Sequence, residues 1–130
     1  AELSSEAPGV NNIWPSDIHF YLNNVCLGYW TSPGDFGNNK GIYPPDWWKA
    51  GSQYGLLKTI RITNTATMLD GIVLSNTTLN ELNFQPGKDI SFKIAVPKTT
   101  LNVGGLNLFG RGFGNYDQDI VVRVEYEVSS

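Results

Sequence analysis

Two segments of this chain alternate apolar and polar residues with a period of two, and none carries a sustained helical period. In ISFKIAV, residues 90–96, Ile90, Phe92, Ile94 and Val96 fall on one face, while Ser91 and Lys93 fall on the other. In DIVVRVEYEV, residues 119–128, Ile120, Val122, Val124, Tyr126 and Val128 share a face opposite Arg123, Glu125 and Glu127. Side chains of a strand point alternately to its two sides, so both segments predict strands with one buried and one wet face. The second should lie inside a sheet, with Ile120, Val122 and Val124 buried and Arg123 and Glu125 exposed.

Shorter strands fill the rest, marked off by turn chemistry. Residues 17–22 and 25–30 read as a hairpin around Asn23-Asn24, because Asn tolerates the positive φ that a two-residue turn demands. Residues 56–63 read as one strand, with Ile60 and Ile62 opposite Arg61 and Thr63. Residues 67–74 form a second hairpin around Asp70-Gly71. A short helical turn is expected within residues 73–82. Residues 1–16 are polar, carry Pro8 and Pro15, and read as an N-terminal arm or linker end. Residues 17–130 read as a single domain. Many short strands with Gly, Pro and Asn between them predict an all-β fold, an antiparallel β-sandwich of jelly-roll-like type.

Composition narrows the function classes. The 130 residues carry 12 acids against 9 bases, a net charge of −3 with no basic run, so a nucleic-acid footprint is missing. No apolar run approaches the ~20 residues that span a bilayer, and no membrane partner is expected. Cys26 and His19 are the only residues of their types. That excludes an internal disulfide and leaves no metal-ligand cluster. The scattered aspartates form no calcium loop. Catalysis lacks a constellation: His19 sits in the strand DIHFYL beside Tyr21, where a hydrogen-bonded structural role is expected, and Cys26 lies in an apolar strand. The chain reads as a non-enzyme with no cofactor.

Two irregular stretches are the candidates for function. TSPGDFGNNKGIYPPDWW, residues 31–48, is dense in glycine and proline yet ends on two tryptophans. Trp30, Tyr43, Trp47, Trp48 and Tyr54 lie in or near it. Flat rings suit the apolar C–H face of a sugar, with amides and carboxylates gripping the hydroxyls. The competing expectation is that the rings fold inward as a lid on the core, since buried aromatics dominate core energetics. At least one of Trp47 and Trp48 should be exposed, because neighbours in extended chain point opposite ways. LFGRGFGNYDQD, residues 108–119, alternates glycine with Arg111 and Phe113 and lets the backbone approach a ligand or another strand closely. Arg111, Asn115, Asp117 and Gln118 are its candidate binding groups; a tight loop in which Arg111 pairs with an acid is the readier structural expectation.

YLNNVCLGYWTSPGDFG, with PDWW and SQYGLLK downstream, and GGLNLFGRGFGNYDQDIVVRVEYE together resemble the region that follows the winged-helix domain in bacterial ArsR-like, helix-turn-helix transcriptional regulators. The resemblance runs from about Ile18 to the C-terminus. It implies a cytoplasmic sensing or assembly domain that meets DNA only through a winged helix this sequence does not contain. The expected function is non-catalytic binding of a small polar ligand such as a carbohydrate. The alternatives are a carbohydrate-binding module of a secreted enzyme and a homodimerisation domain without a ligand.

Overall fold

The computed structural model describes residues 1–8, 11–36, 41–43 and 54–126. Its strands are Glu2–Ser4 (β1), Ser16–Leu22 (β2), Val25–Ser32 (β3), Leu56–Leu57 (β4), Ile60–Ile62 (β5), Thr67–Leu69 (β6), Ile72–Ser75 (β7), Phe92–Ala95 (β8) and Asn107–Phe109 (β9). They form three antiparallel sheets in the orders β4-β1-β9, β3-β2-β8 and β5-β6-β7. The fold is all-β. Among the described residues the one helical element is the 3-10 turn Leu79–Glu81, where the Glu81 carboxylate accepts the Thr78 N–H at 3.2 Å. No helix among the described residues is long and apolar enough to cross a membrane.

Local chemistry sets both hairpins. Asn23 and Asn24 have φ of 48° and 66°, and Leu22 pairs with Val25. Asp70 and Gly71 have φ of 50° and 84°, and Leu69 pairs with Ile72. Two successive positive φ values match the twist of the flanking strands, which is why Asn and Gly occupy such loops.

The first hairpin does not keep the plain register of its turn. Tyr21 pairs with Cys26 but Phe20 pairs with Gly28, so β3 holds one extra residue. An inserted residue reverses which face the rest of the strand presents. Before the bulge Val25 and Leu27 point inward; after it Trp30 and Ser32 do, and Tyr29 faces out. Gly28 permits this with φ of 126° and with Leu74 of β7 so close that a Cβ there would lie 2.6 Å from Leu74 Cγ. Beside it, Ser75 Oγ donates to the Leu27 carbonyl at 2.7 Å, binding the third sheet to the second.

The core lies between the sheets. Leu3, Ile18, Phe20, Leu27 and Leu82 are fully buried, with Trp30, Ile60, Ile62, Ile94, Val96 and Leu106 packed around them. Each such side chain contributes about 1.5–3 kcal/mol relative to exposure.

Four expectations are corrected. The N-terminal residues are not simply an arm: Glu2–Ser4 is the buried middle strand of a sheet. Residues 56–63 are not one strand but β4 and β5, in different sheets. Asp70 holds the break between them, accepting the Thr59 N–H at 2.9 Å and pairing with Lys58 Nζ at 3.0 Å. The strand over residues 90–96 shortens to β8; Ile94 and Val96 face the core, whereas Ile90 and Phe92 are exposed. Residues 120–126 form no strand, and Ile120, Val122 and Val124 are 43, 72 and 68% exposed. Arg123 and Glu125 are exposed as expected and pair with each other at 3.0 Å. Alternation marks the face a strand would bury, but a strand also needs a neighbour, and this segment pairs with no strand among the described residues.

Candidate functional site

The 108–119 loop and the chain at Gly55 meet at one carboxylate. Glu2, buried in β1, accepts the backbone N–H of Gly55 at 2.9 Å and of Asn115 at 2.7 Å on Oε1, and of Tyr116 at 3.0 Å on Oε2. Hydrogen bonds to an ionised acceptor are about twice as strong as neutral ones, so this is a firm anchor. Gly114 is required here: a Cβ would sit 2.4 Å from Oε2. The close approach expected of the glycine loop is therefore made to a side chain of the same chain.

Around that anchor the loop closes on itself. Phe113 N–H donates to the Gly110 carbonyl at 3.3 Å, and Arg111 N–H to Asp119 Oδ1 at 2.8 Å. Arg111 Nε lies 3.7 Å from Asp117 Oδ1, with both side chains largely exposed, the acid pairing expected of a tight loop. Tyr43 N–H donates to the Gly114 carbonyl at 3.1 Å, and the residue is 41% exposed. The half-buried Tyr54, next to Gly55, meets Phe36 edge to face at 5.7 Å between centroids.

The structure thus brings Tyr43, Tyr54, Arg111, Asn115 and Asp117 to one junction of loops, and the half-buried Gln118 follows Asp117 in the chain. Asn115 enters through its backbone N–H. Trp30 is placed elsewhere: it packs against the core, with Lys58 Nζ 4.4 Å from its ring centroid. Trp47 and Trp48 lie outside the described residues.

A second buried carboxylate, Asp17, ties β2 to the segment after β8. It accepts Thr31 Oγ1 at 2.7 Å, Thr100 Oγ1 at 2.8 Å, and the N–H and Nδ2 of Asn102 at 3.0 and 3.1 Å. Burial alone would raise its pKa, but these donors outweigh it and hold the carboxyl well below the usual carboxylate range. Among the described residues no group of three or more His, Cys, Asp or Glu is placed to hold a metal.

A row of rings on the open face of the β3-β2-β8 sheet was not expected as a unit. His19 stacks on Tyr29 at 4.9 Å and lies 6.2 Å from Tyr21, both at 19° between planes, and Lys93 Nζ sits 4.5 Å from the Tyr21 centroid. His19 Nδ1 is 3.0 Å from the Asp17 carbonyl oxygen, in keeping with a structural histidine. Sequence reasoning joins His19 to Tyr21 by strand period. It misses Tyr29, because in the unbulged register Tyr29 opposes Ile18 and faces inward. An open groove of about 330 Å³ lies between Asn23, Phe84, Pro86, Lys88 and Ile90, and the junction residues do not line it.

The chain matches no protein-family model, no curated protein and no solved structure.

Proposed function

We propose that this domain is a non-catalytic binding module for a small polar ligand of the carbohydrate class, held at the junction of the two loops. The observation that carries the reading is the Tyr43–Gly114 backbone hydrogen bond, which sets an exposed aromatic residue beside a loop displaying Arg111 and Asp117. A ring for the C–H face and charged forks for the hydroxyls is the pairing sugar recognition uses. Support for a non-catalytic role comes from Glu2 and Asp17. Both carboxylates are buried and occupied by structural donors, which leaves them ill suited to move a proton. Following the sequence resemblance, we assign the domain to the cytoplasmic C-terminal part of a winged-helix regulator. Its ligand would bias the attached DNA-binding unit through different affinities for two arrangements.

The test is a thermal-shift screen against mono- and oligosaccharides followed by calorimetry. A ligand of the folded state at 100 times its Kd adds about 2.7 kcal/mol of apparent stability. Tyr43→Ala and Arg111→Ala should remove that gain without unfolding the domain. A gain removed by Tyr29→Ala instead would move the site to the ring row, and no gain with any sugar would overturn the reading. A second reading, assembly, is favoured by the exposed apolar residues of the 120–126 segment.

A further inference from the structure

The 120–126 segment and the free edge of β8 are two halves of an unmade strand pair. β8 ends the β3-β2-β8 sheet, so one side of its backbone has no strand partner among the described residues. Ile94 and Val96 turn toward the core with part of their surface uncovered, and Phe92 on the same face is exposed. The 120–126 segment holds strand alternation in exposed chain. Its root is fixed to a sheet other than that of β8: Tyr116 N–H is bound by Glu2 of the β4-β1-β9 sheet, and Asp119 by the Arg111 N–H. Within one copy β8 pairs with β2 alone among the described strands.

We propose that residues 120–126 of one copy add as an antiparallel fourth strand to the β8 edge of a second copy, and that the exchange is reciprocal in a two-fold dimer. Unpaired edges are templates for such addition. Every copy carries both donor and acceptor, so two copies satisfy each other and the assembly closes. Charge agrees with the pairing. Residues 88–98 carry Lys88, Lys93 and Lys98 against Asp89, whereas residues 117–126 carry Asp117, Asp119 and Glu125 against Arg123.

Side-chain period selects the register. Setting Glu125 opposite Lys93 on the wet face puts Tyr126 beside Phe92, Val124 beside Ile94 and Val122 beside Val96. Tyr126, Val124 and Val122 then fall on the core side, and Val121 of the segment faces outward with Arg123 and Glu125. A shift by one residue would place Val124 beside Lys93 and turn the whole apolar face to water. This contact is independent of ligand binding at the loop junction.

Sedimentation of the full chain at tens of micromolar should show a dimer. Val124→Asp should make it monomeric while keeping a cooperative thermal melt, since that side chain is exposed within one copy. Lys93→Glu and Glu125→Lys should each weaken the dimer at least tenfold, and the double variant should recover most of the loss. In a Cys26→Ser background, Phe92→Cys copies mixed with Tyr126→Cys copies should give a disulfide-linked pair on mild oxidation. A monomeric parent chain overturns the proposal. So does a dimer that Val124→Asp leaves intact, or a Phe92→Cys/Tyr126→Cys double variant that links only within one chain.

Discussion

Replacing Gly114 with alanine builds a Cβ 2.4 Å from Oε2 and 2.5 Å from Oε1 of Glu2, contacts no real Cβ tolerates. Either the glycine loop or the carboxylate must move. The carboxylate is the end of a flexible side chain, so it is the part that yields. Its departure leaves the N–H groups of Gly55, Asn115 and Tyr116 without their acceptor, in a region where Gly55 and Gly114 are buried. Hydrogen bonds to a charged group contribute about 1.5–3 kcal/mol, and partial rehydration of the loop recovers some of that. We expect Gly114→Ala to cost about 2–4 kcal/mol. A urea melt read by tryptophan fluorescence measures it, and the decisive form is a cycle with Glu2→Ala. If Glu2 is why position 114 must be glycine, then Gly114→Ala adds little once Glu2 is gone. The coupling should then nearly equal the cost of Gly114→Ala in the parent, about 2–3 kcal/mol, at the upper end for residues in direct contact. Additive costs would refute the argument, as would a Gly114→Ala chain within about 0.5 kcal/mol of the parent.

Other outcomes follow from the same geometry. Asp17 has a folded-state pKa below its unfolded value of about 3.9, so its contribution is complete above that value and is lost as pH falls beneath it. Asp17→Asn should cost about 2–3 kcal/mol at pH 7 and flatten the stability profile below about pH 4, measured by denaturant melts across pH. Gly28→Ala combines a positive φ with a Cβ 2.6 Å from Leu74 and should cost about 2–3 kcal/mol by thermal melt. Trp30→Ala should destabilise by about 3–5 kcal/mol in a urea melt, because its ring serves the core and Lys58 rather than the loop junction.

Much of the fold was legible because it depends on neighbours in the chain. Asn23-Asn24 and Asp70-Gly71 announce two-residue hairpins through the φ values those residue types accept. Punctuated short strands without a helical period announce an all-β class. The candidate site was legible in part. Glycine density and exposed-type polar residues marked residues 108–119, whereas the hydrogen bond that joins that loop to Tyr43 carries no local signal. Glu2, which organises the junction, was not. Its role rests on N–H groups 53, 113 and 114 residues away, and no local signal distinguishes it from a solvated glutamate.

The remaining features were decided by tertiary contact. The bulge at Gly28 exists because Leu74 packs where a side chain would stand, and that one inserted residue sends Trp30 inward and Tyr29 outward. Asp70 breaks residues 56–63 into strands of two sheets by reaching back to Lys58 and Thr59. Residues 120–126 show the reverse case. They alternate as β8 does, yet β8 is a strand because β2 lies beside it, and they are exposed with no such neighbour among the described residues. Period and turn chemistry act over a few residues and settle local conformation. Pairing, register and burial depend on which distant segment arrives, and that is set by the balance of the whole chain.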